Sequence, residues 1–220
     1  MTIKTVGVIG DVHCEAEALA AALDHLASLG PDRVLCVGDI VDGTGDPNRC
    51  CGLLREAGAL TVCGNHERWL FEGAMRNLPG ATRLEALDAS SREYLRVLPK
   101  TCEIETMSGR ALLCHGLGEQ DMAGVRPDDR GYALENNDTL QSLIHDGRYA
   151  FLINGHTHQR MVRRVGALAV INAGTLHRDY SPCFAFVDFE HERATFFELR
   201  PGDGVVSAEE RRLADWTELF

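Results

Sequence analysis

No apolar stretch approaches the roughly 18 residues that a membrane-spanning helix needs, and the opening "MTIKTVGVIGDVHC" lacks the long apolar centre and small-residue cleavage site of a secretory leader. A cytoplasmic protein without a membrane partner is expected. No run of Lys or Arg occurs: 22 basic residues against 33 acidic ones give a net charge of −11, which disfavours extended nucleic acid and anionic lipid as partners. No CxxC pair appears among the eight cysteines, several of which lie inside apolar runs where a thiol behaves as a small hydrophobe. Reduced, buried cysteines are expected in place of disulfides or a thiolate zinc site. The absence of GxSxG argues against a serine hydrolase. No low-complexity tract or internal repeat is present.

What is present is an ordinary globular composition, 45% hydrophobic and 25% charged over 220 residues, enough for one domain spanning residues 1–220. Short apolar segments alternate with amphipathic ones, the pattern of an α/β architecture. Glu15–Leu29 carries Leu19, Leu23 and Leu26 at helical spacing and stops at Gly30-Pro31. Ser90–Glu93 and Ser207–Glu210 match capping boxes, and Asp138 is placed to cap a helix running to Gly147. Pro47–Gly58 and Glu67–Asn77 read as covering helices.

Five apolar runs each deliver polar residues at their ends. "VGVIGDVH" ends on Asp11 and His13, "RVLCVGDIVD" carries Asp39, "ALTVCGNHE" carries Asn65, His66 and Glu67, "ALLCHG" carries His115, and "FLINGHTH" carries His156 and His158. Strand endings of this kind gather along the carboxyl edge of a sheet. Two carboxylates, one amide and four imidazoles form a mixed O/N set suited to Mn, Fe, Zn or Ni. Seven donors are too many for one ion with an open position, whereas a pair of ions sharing a carboxylate accounts for them. Such pairs serve phosphatases, nucleases and aminopeptidases. Residues two apart in extended backbone face the same side, so Asp11 can join His13, and His156 can join His158. By the same rule His66 faces away from Asn65.

"GDVH" at 10–13, "GDIVD" at 38–42, "GNHE" at 64–67, "HG" at 115–116 and "GHTH" at 155–158, followed by "INAGT" at 171–175, resemble the ordered blocks of the calcineurin-like metallophosphoesterases. The closest likeness is to small bacterial phosphodiesterase-like members. The resemblance implies a four-layer α-β-β-α sandwich of two mixed β-sheets flanked by helices. It also implies a dinuclear centre, with Asp11, His13 and His158 on one metal, Asn65, His115 and His156 on the other, Asp39 bridging, and manganese the expected ion. His66 takes the position of the proton donor to the leaving group, after attack on phosphorus by a metal-bridging hydroxide. Two divalent ions, two aspartates and a hydroxide leave a net +1, a local attraction for a small phosphorylated substrate in an acidic chain. A small phosphodiester or phosphomonoester is expected. A serine/threonine-type phosphoprotein phosphatase or nucleotide phosphatase is the alternative within the superfamily, and a protein-binding scaffold of the same fold the alternative outside catalysis.

Two positions depart from the protein-phosphatase branch of that family. Gly43 stands where that branch has a phosphate-gripping arginine, while Glu67 agrees with that branch and not with many small bacterial relatives, which have Asp. Asn65, His66 and Arg178 are the expected substrate contacts, with Arg126 and Arg130 as further candidates in a loop-like, lid-length stretch from Gly116 to Asn137. Glu67 is a possible orienter of His66. His25, His145, His177 and His191 read as surface or core histidines without chemistry.

Overall fold

The computed structural model describes residues 2–202 and 204–214. In chain order its elements are β1 (Thr5–Ile9), α1 (Ala16–Leu29), β2 (Arg33–Cys36), α2 (Pro47–Glu56), β3 (Leu60–Thr61), α3 (Asn65–Glu72), α4 (Ala89–Arg96), β4 (Thr101–Thr106), β5 (Gly109–Cys114), α5 (Tyr132–Glu135), α6 (Asp138–Asp146), β6 (Phe151–Asn154), β7 (Met161–Val165), β8 (Leu168–Asn172), β9 (Cys183–Asp188), β10 (Arg193–Arg200) and β11 (Gly204–Arg212). The strands form two mixed sheets, ordered β11-β10-β9-β1-β2-β3 and β4-β5-β6-β8-β7.

Alternation along the strands builds the layers. Val6 and Val8 of β1, Leu113 of β5, Ile153 of β6, Ile171 of β8 and Val187 of β9 meet in one buried cluster between the sheets. The neighbouring residues point outward. Ile9, Cys36 and Phe184 pack with Leu19, Leu26 and Leu54 of α1 and α2, and Leu112, Leu152 and Val170 pack with Leu140 of α6. The result is helix, sheet, sheet, helix, the four-layer sandwich. All eight cysteines are free, and six of them are buried as small apolar side chains.

The pairing of β1 with β2, β2 with β3, β5 with β6 and β6 with β8 is parallel. Three strands in each sheet therefore run the same way, and the loops leaving β1, β2, β3, β5 and β6 carry the polar residues. The segment 172–176 binds across two of these loops. Asn172 Nδ2 donates to Gly155 O at 2.7 Å, while Thr175 Oγ1 and Leu176 N both donate to Asp11 O at 2.8 Å.

Several boundaries differ from the sequence expectation. Ser207–Glu210 lies inside β11, because pairing with β10 from Arg193 to Arg200 outweighs the local capping signal. Asp88, not Ser90, caps α4, and Asn137, not Asp138, caps α6. α3 ends at Gly73, whose left-handed φ of 69° stops the helix short of Asn77. No helix among the described residues is long and apolar enough to cross a membrane.

Candidate functional site

The polar strand endings converge. Ligand-capable atoms of Asp11, His13, Asp39 and His158 all lie within 4.8 Å of one another. Beside them, Asn65 Oδ1 is 2.8 Å from His115 Nε2 and 3.1 Å from His156 Nδ1. Asp39 Oδ2 lies between the groups, 3.9 Å from His13 Nε2 and 3.2 Å from His115 Nε2. All seven expected donors thus meet at one place, yet not by strand alternation. His13, Asp39, His156 and His158 have φ of 46°, 48°, 67° and 57°, so turns in the left-handed region aim them. His156 and His158 separate, one toward Asn65 and the other to 3.1 Å from His13 Nε2.

Second contacts fix the tautomers. His13 Nδ1 donates to Asp42 O and His115 Nδ1 donates to Val37 O, both at 2.9 Å. When these imidazoles are neutral, each Nε2 is a bare lone pair facing another electron-rich atom: His158 Nε2 for His13, the Asn65 amide oxygen for His115. Asp11 Oδ2 is buried with no hydrogen-bond partner. Imidazole nitrogens and an amide oxygen crowded around an orphaned buried carboxylate oxygen are what a cation site requires, and the O/N donor set without thiolate fits a borderline divalent ion.

Charge tells the same story. Burial pushes the Asp11 carboxyl up, against the pull of His115 and with the help of nearby Asp39, to about 7. Burial alone would also raise Asp39, but His115, His66 and His13 hold it well below the usual carboxylate range. For His115 burial acts downward, and Asp39 and Asp11 outweigh it, lifting the imidazole to about 10.

His66 stands outside the donor cluster. Its backbone N–H donates to Asp39 Oδ1 at 3.0 Å and its Nε2 lies 3.8 Å from Asp39 Oδ2. Its Nδ1 is 2.8 Å from Asp42 Oδ2. Burial works against the imidazolium, but that hydrogen bond and the charges of Asp39, Asp42 and Glu67 prevail, so the His66 pKa is raised. Asp42 is itself gripped by Arg76 through Nη1 at 2.9 Å and Nη2 at 2.7 Å, and by the Thr82 N–H at 2.8 Å. Asp42 and Arg76 are the participants that sequence reasoning misses, although the second aspartate of "GDIVD" is a visible signal for the first.

Glu67 has a different job from orienting His66. Its carboxylate accepts the backbone N–H groups of Asp39 at 2.8 Å, Ile40 at 2.7 Å, Val41 at 3.1 Å and Gly64 at 2.9 Å. It folds the loop of the second block against the start of α3, which sets Asp39 beside Asn65. The contact is close: a Cβ on Gly64 would sit 2.1 Å from Asp39 Oδ1. Gly43 is equally constrained, since a Cβ there would meet His13 O at 1.9 Å. No side chain fits, so the arginine of the protein-phosphatase branch has no room at this position.

The remaining candidates lie apart. Arg178 donates through Nε and Nη2 to Glu15 at 2.6 and 2.8 Å, and Arg130 Nη1 binds the carbonyls of Pro127 and Asp129. None of Arg126, Arg130 and Arg178 lines the cavity of about 640 Å³ that opens over His66. The stretch 116–137 is held down by Arg163, a buried side chain whose Nη1 donates to Arg126 O at 2.7 Å and whose Nη2 donates to Asp129 O.

The sequence profile of the calcineurin-like phosphoesterase superfamily domain matches residues 5–192. An uncharacterized protein of Methanocaldococcus jannaschii is 39% identical over 67 residues, which are 30% of this chain and only 28% of that protein. Among solved structures, a hypothetical protein of Pyrococcus horikoshii superposes with a TM-score of 0.73 at 17% identity, covering 88% of this chain and 87% of the other. A metallophosphoesterase of Sphaerobacter thermophilus gives 0.66 at 21% identity, covering 90% and 89%.

Proposed function

The chain belongs to the calcineurin-like phosphoesterase superfamily, and from that premise we propose that it is a metal-dependent hydrolase of a small phosphodiester or phosphomonoester. The observation that carries this reading is the pairing of a complete donor cluster with a histidine left outside it, His66, braced by Asp42. Asp11, His13, His158 and Asp39 would hold one divalent ion, and Asn65, His115, His156 and the same Asp39 a second. Such ions supply charge neutralisation at the phosphoryl oxygens and a water acidic enough to attack at neutral pH.

The protein's own groups do the rest. Asp39, reached by both sets of imidazoles, ties the two sets into one centre. Asp42 accepts from His66 Nδ1, which leaves Nε2 as the position from which a proton passes to the departing oxygen. Against burial, the hydrogen bond to Asp42 raises the His66 pKa and so favours the protonated ring. Of the donors, His13 and His158 line a cavity open to solvent beside His66, which gives an ester access.

The test is a panel of an activated phosphomonoester, an activated phosphodiester, nucleotides and a phosphopeptide, with Mn, Ni, Zn and Fe supplied in turn. His66→Ala should retain bound metal while turnover falls on the order of 10²–10⁴-fold, most for poor leaving groups. Hydrolysis of nothing by a protein that demonstrably binds metal would overturn the reading in favour of a scaffold.

A further inference from the structure

The cavity over His66 is larger than a phosphoryl group needs, about 640 Å³, and much of its remaining wall is apolar or aromatic. Leu78 and Pro79 come from the segment after α3, and His177, Asp179 and Tyr180 from the turn after β8. No Lys or Arg lines it among the described residues. A second phosphate would find no fixed cation there and would meet the Asp179 carboxylate. The spare volume suits a neutral group.

Tyr180 is 56% exposed although its ring is held. It stands perpendicular to the His158 ring at 4.6 Å and to the His177 ring at 5.5 Å between centroids. The turn is fixed by hydrogen bonds from His177 N to Thr175 Oγ1 at 3.0 Å and from Asp179 N to His177 Nδ1 at 3.2 Å. With Nδ1 accepting, the proton of the neutral His177 ring sits on Nε2 and makes it a donor. An immobilised aromatic ring left in water beside a ring N–H donor has the makings of a stacking platform with a polar handle.

We propose that Tyr180 and His177 form a subsite for a planar ring carried by the alcohol of the ester, so that this site prefers phosphoesters bearing an aromatic or heteroaromatic group. The inference rests on the phosphoesterase reading for its assignment of the ligand's phosphoryl end to the donor cluster. Tyr180 stacks on the ring of the ester, and His177 donates to its heteroatoms.

The test is calorimetric binding to the manganese-loaded protein of two uncleavable phosphonates, the methylene analogues of adenosine 5′-phosphate and ribose 5-phosphate. They share the phosphoryl end and the sugar and differ only in the ring. The wild type should bind the adenosine analogue about tenfold tighter, the scale of one base–aromatic stack. Tyr180→Ala should bring the two dissociation constants together while Tyr180→Phe keeps them apart. His177→Ala should weaken the adenosine analogue alone, with His177→Gln restoring it. Equal affinities in the wild type, or a preference that survives Tyr180→Ala, would overturn the subsite. Hydrolysis of activated esters by the same preparation is read separately. A binding preference without turnover retains the subsite and removes the phosphoesterase reading; turnover without preference does the reverse.

Discussion

His66 Nδ1 and Asp42 Oδ2 lie 2.8 Å apart, and the same Asp42 oxygen receives Arg76 Nη2 at 2.7 Å. The aspartate is thus fixed by an arginine and in turn fixes the histidine. Asp42→Asn keeps the shape but removes the charge that favours the imidazolium. We expect the kcat of the metal-loaded enzyme to fall by at least about tenfold on esters with poor leaving groups, with KM and bound metal unchanged. Steady-state kinetics over a leaving-group series beside elemental analysis checks this, and a loss confined to metal content would contradict it.

Metal uptake should depend steeply on pH. In the metal-free protein Asp11, lifted to about 7, is partly protonated near neutrality, and His115, lifted to about 10, carries its proton there. A divalent ion must displace these protons, so affinity rises with pH through this window. Calorimetry of Mn binding in buffers of different ionisation enthalpy measures the protons released. Binding that releases none between pH 6 and 8 would refute the prediction.

Glu67→Gln tests the buried carboxylate that organises the second block. Its two oxygens accept four backbone N–H groups, and an amide can accept on one side only. The cost should be about 1.5–3 kcal/mol for each charged hydrogen bond lost. Urea unfolding of metal-free protein gives the number, and a change below about 0.5 kcal/mol, the size of a neutral surface substitution, would show the carboxylate to be dispensable.

Two glycine substitutions make a matched pair. Gly64→Ala puts a methyl group 2.1 Å from Asp39 Oδ1, whereas a Cβ on Gly52 in α2 meets nothing within 4 Å. Gly64→Ala should abolish stoichiometric metal binding. Gly52→Ala should leave binding intact and stabilise the protein by about 0.5–1 kcal/mol. Equal metal content in both variants would show that the approach of Gly64 to Asp39 tolerates a side chain.

The seven ligand-capable residues that the fold brings together are legible in the sequence because their chemistry belongs to residue types, and because each apolar run before them is short enough to be a strand. What aims them is not legible. Left-handed φ at His13, Asp39, His156 and His158 arises in turns held by tertiary bonds, and only Gly announces such a conformation in a sequence. The partner of His66 is hidden for a similar reason. Glu67 is adjacent in sequence yet turns to backbone amides, while Asp42 comes from another loop and its anchors Arg76 and Thr82 lie 34 and 40 residues further on. Ser207 shows the converse error, a valid local capping pattern overridden by strand pairing. Gly43 is informative in both respects, its departure from arginine visible in the sequence and its cause, the His13 carbonyl, visible only in space.

Asp11, His13, Asp39 and Asn65 hang from the sheet that contains β1, β2 and β3, whereas His115, His156 and His158 hang from the one that contains β5 and β6. Any cation gripped by both groups is a rivet through the seam of the sandwich. Pulling the layers apart would then mean releasing the ion, so the resistance of this fold to heat or denaturant becomes a function of free metal concentration, and an assay of unfolding doubles as an assay of occupancy.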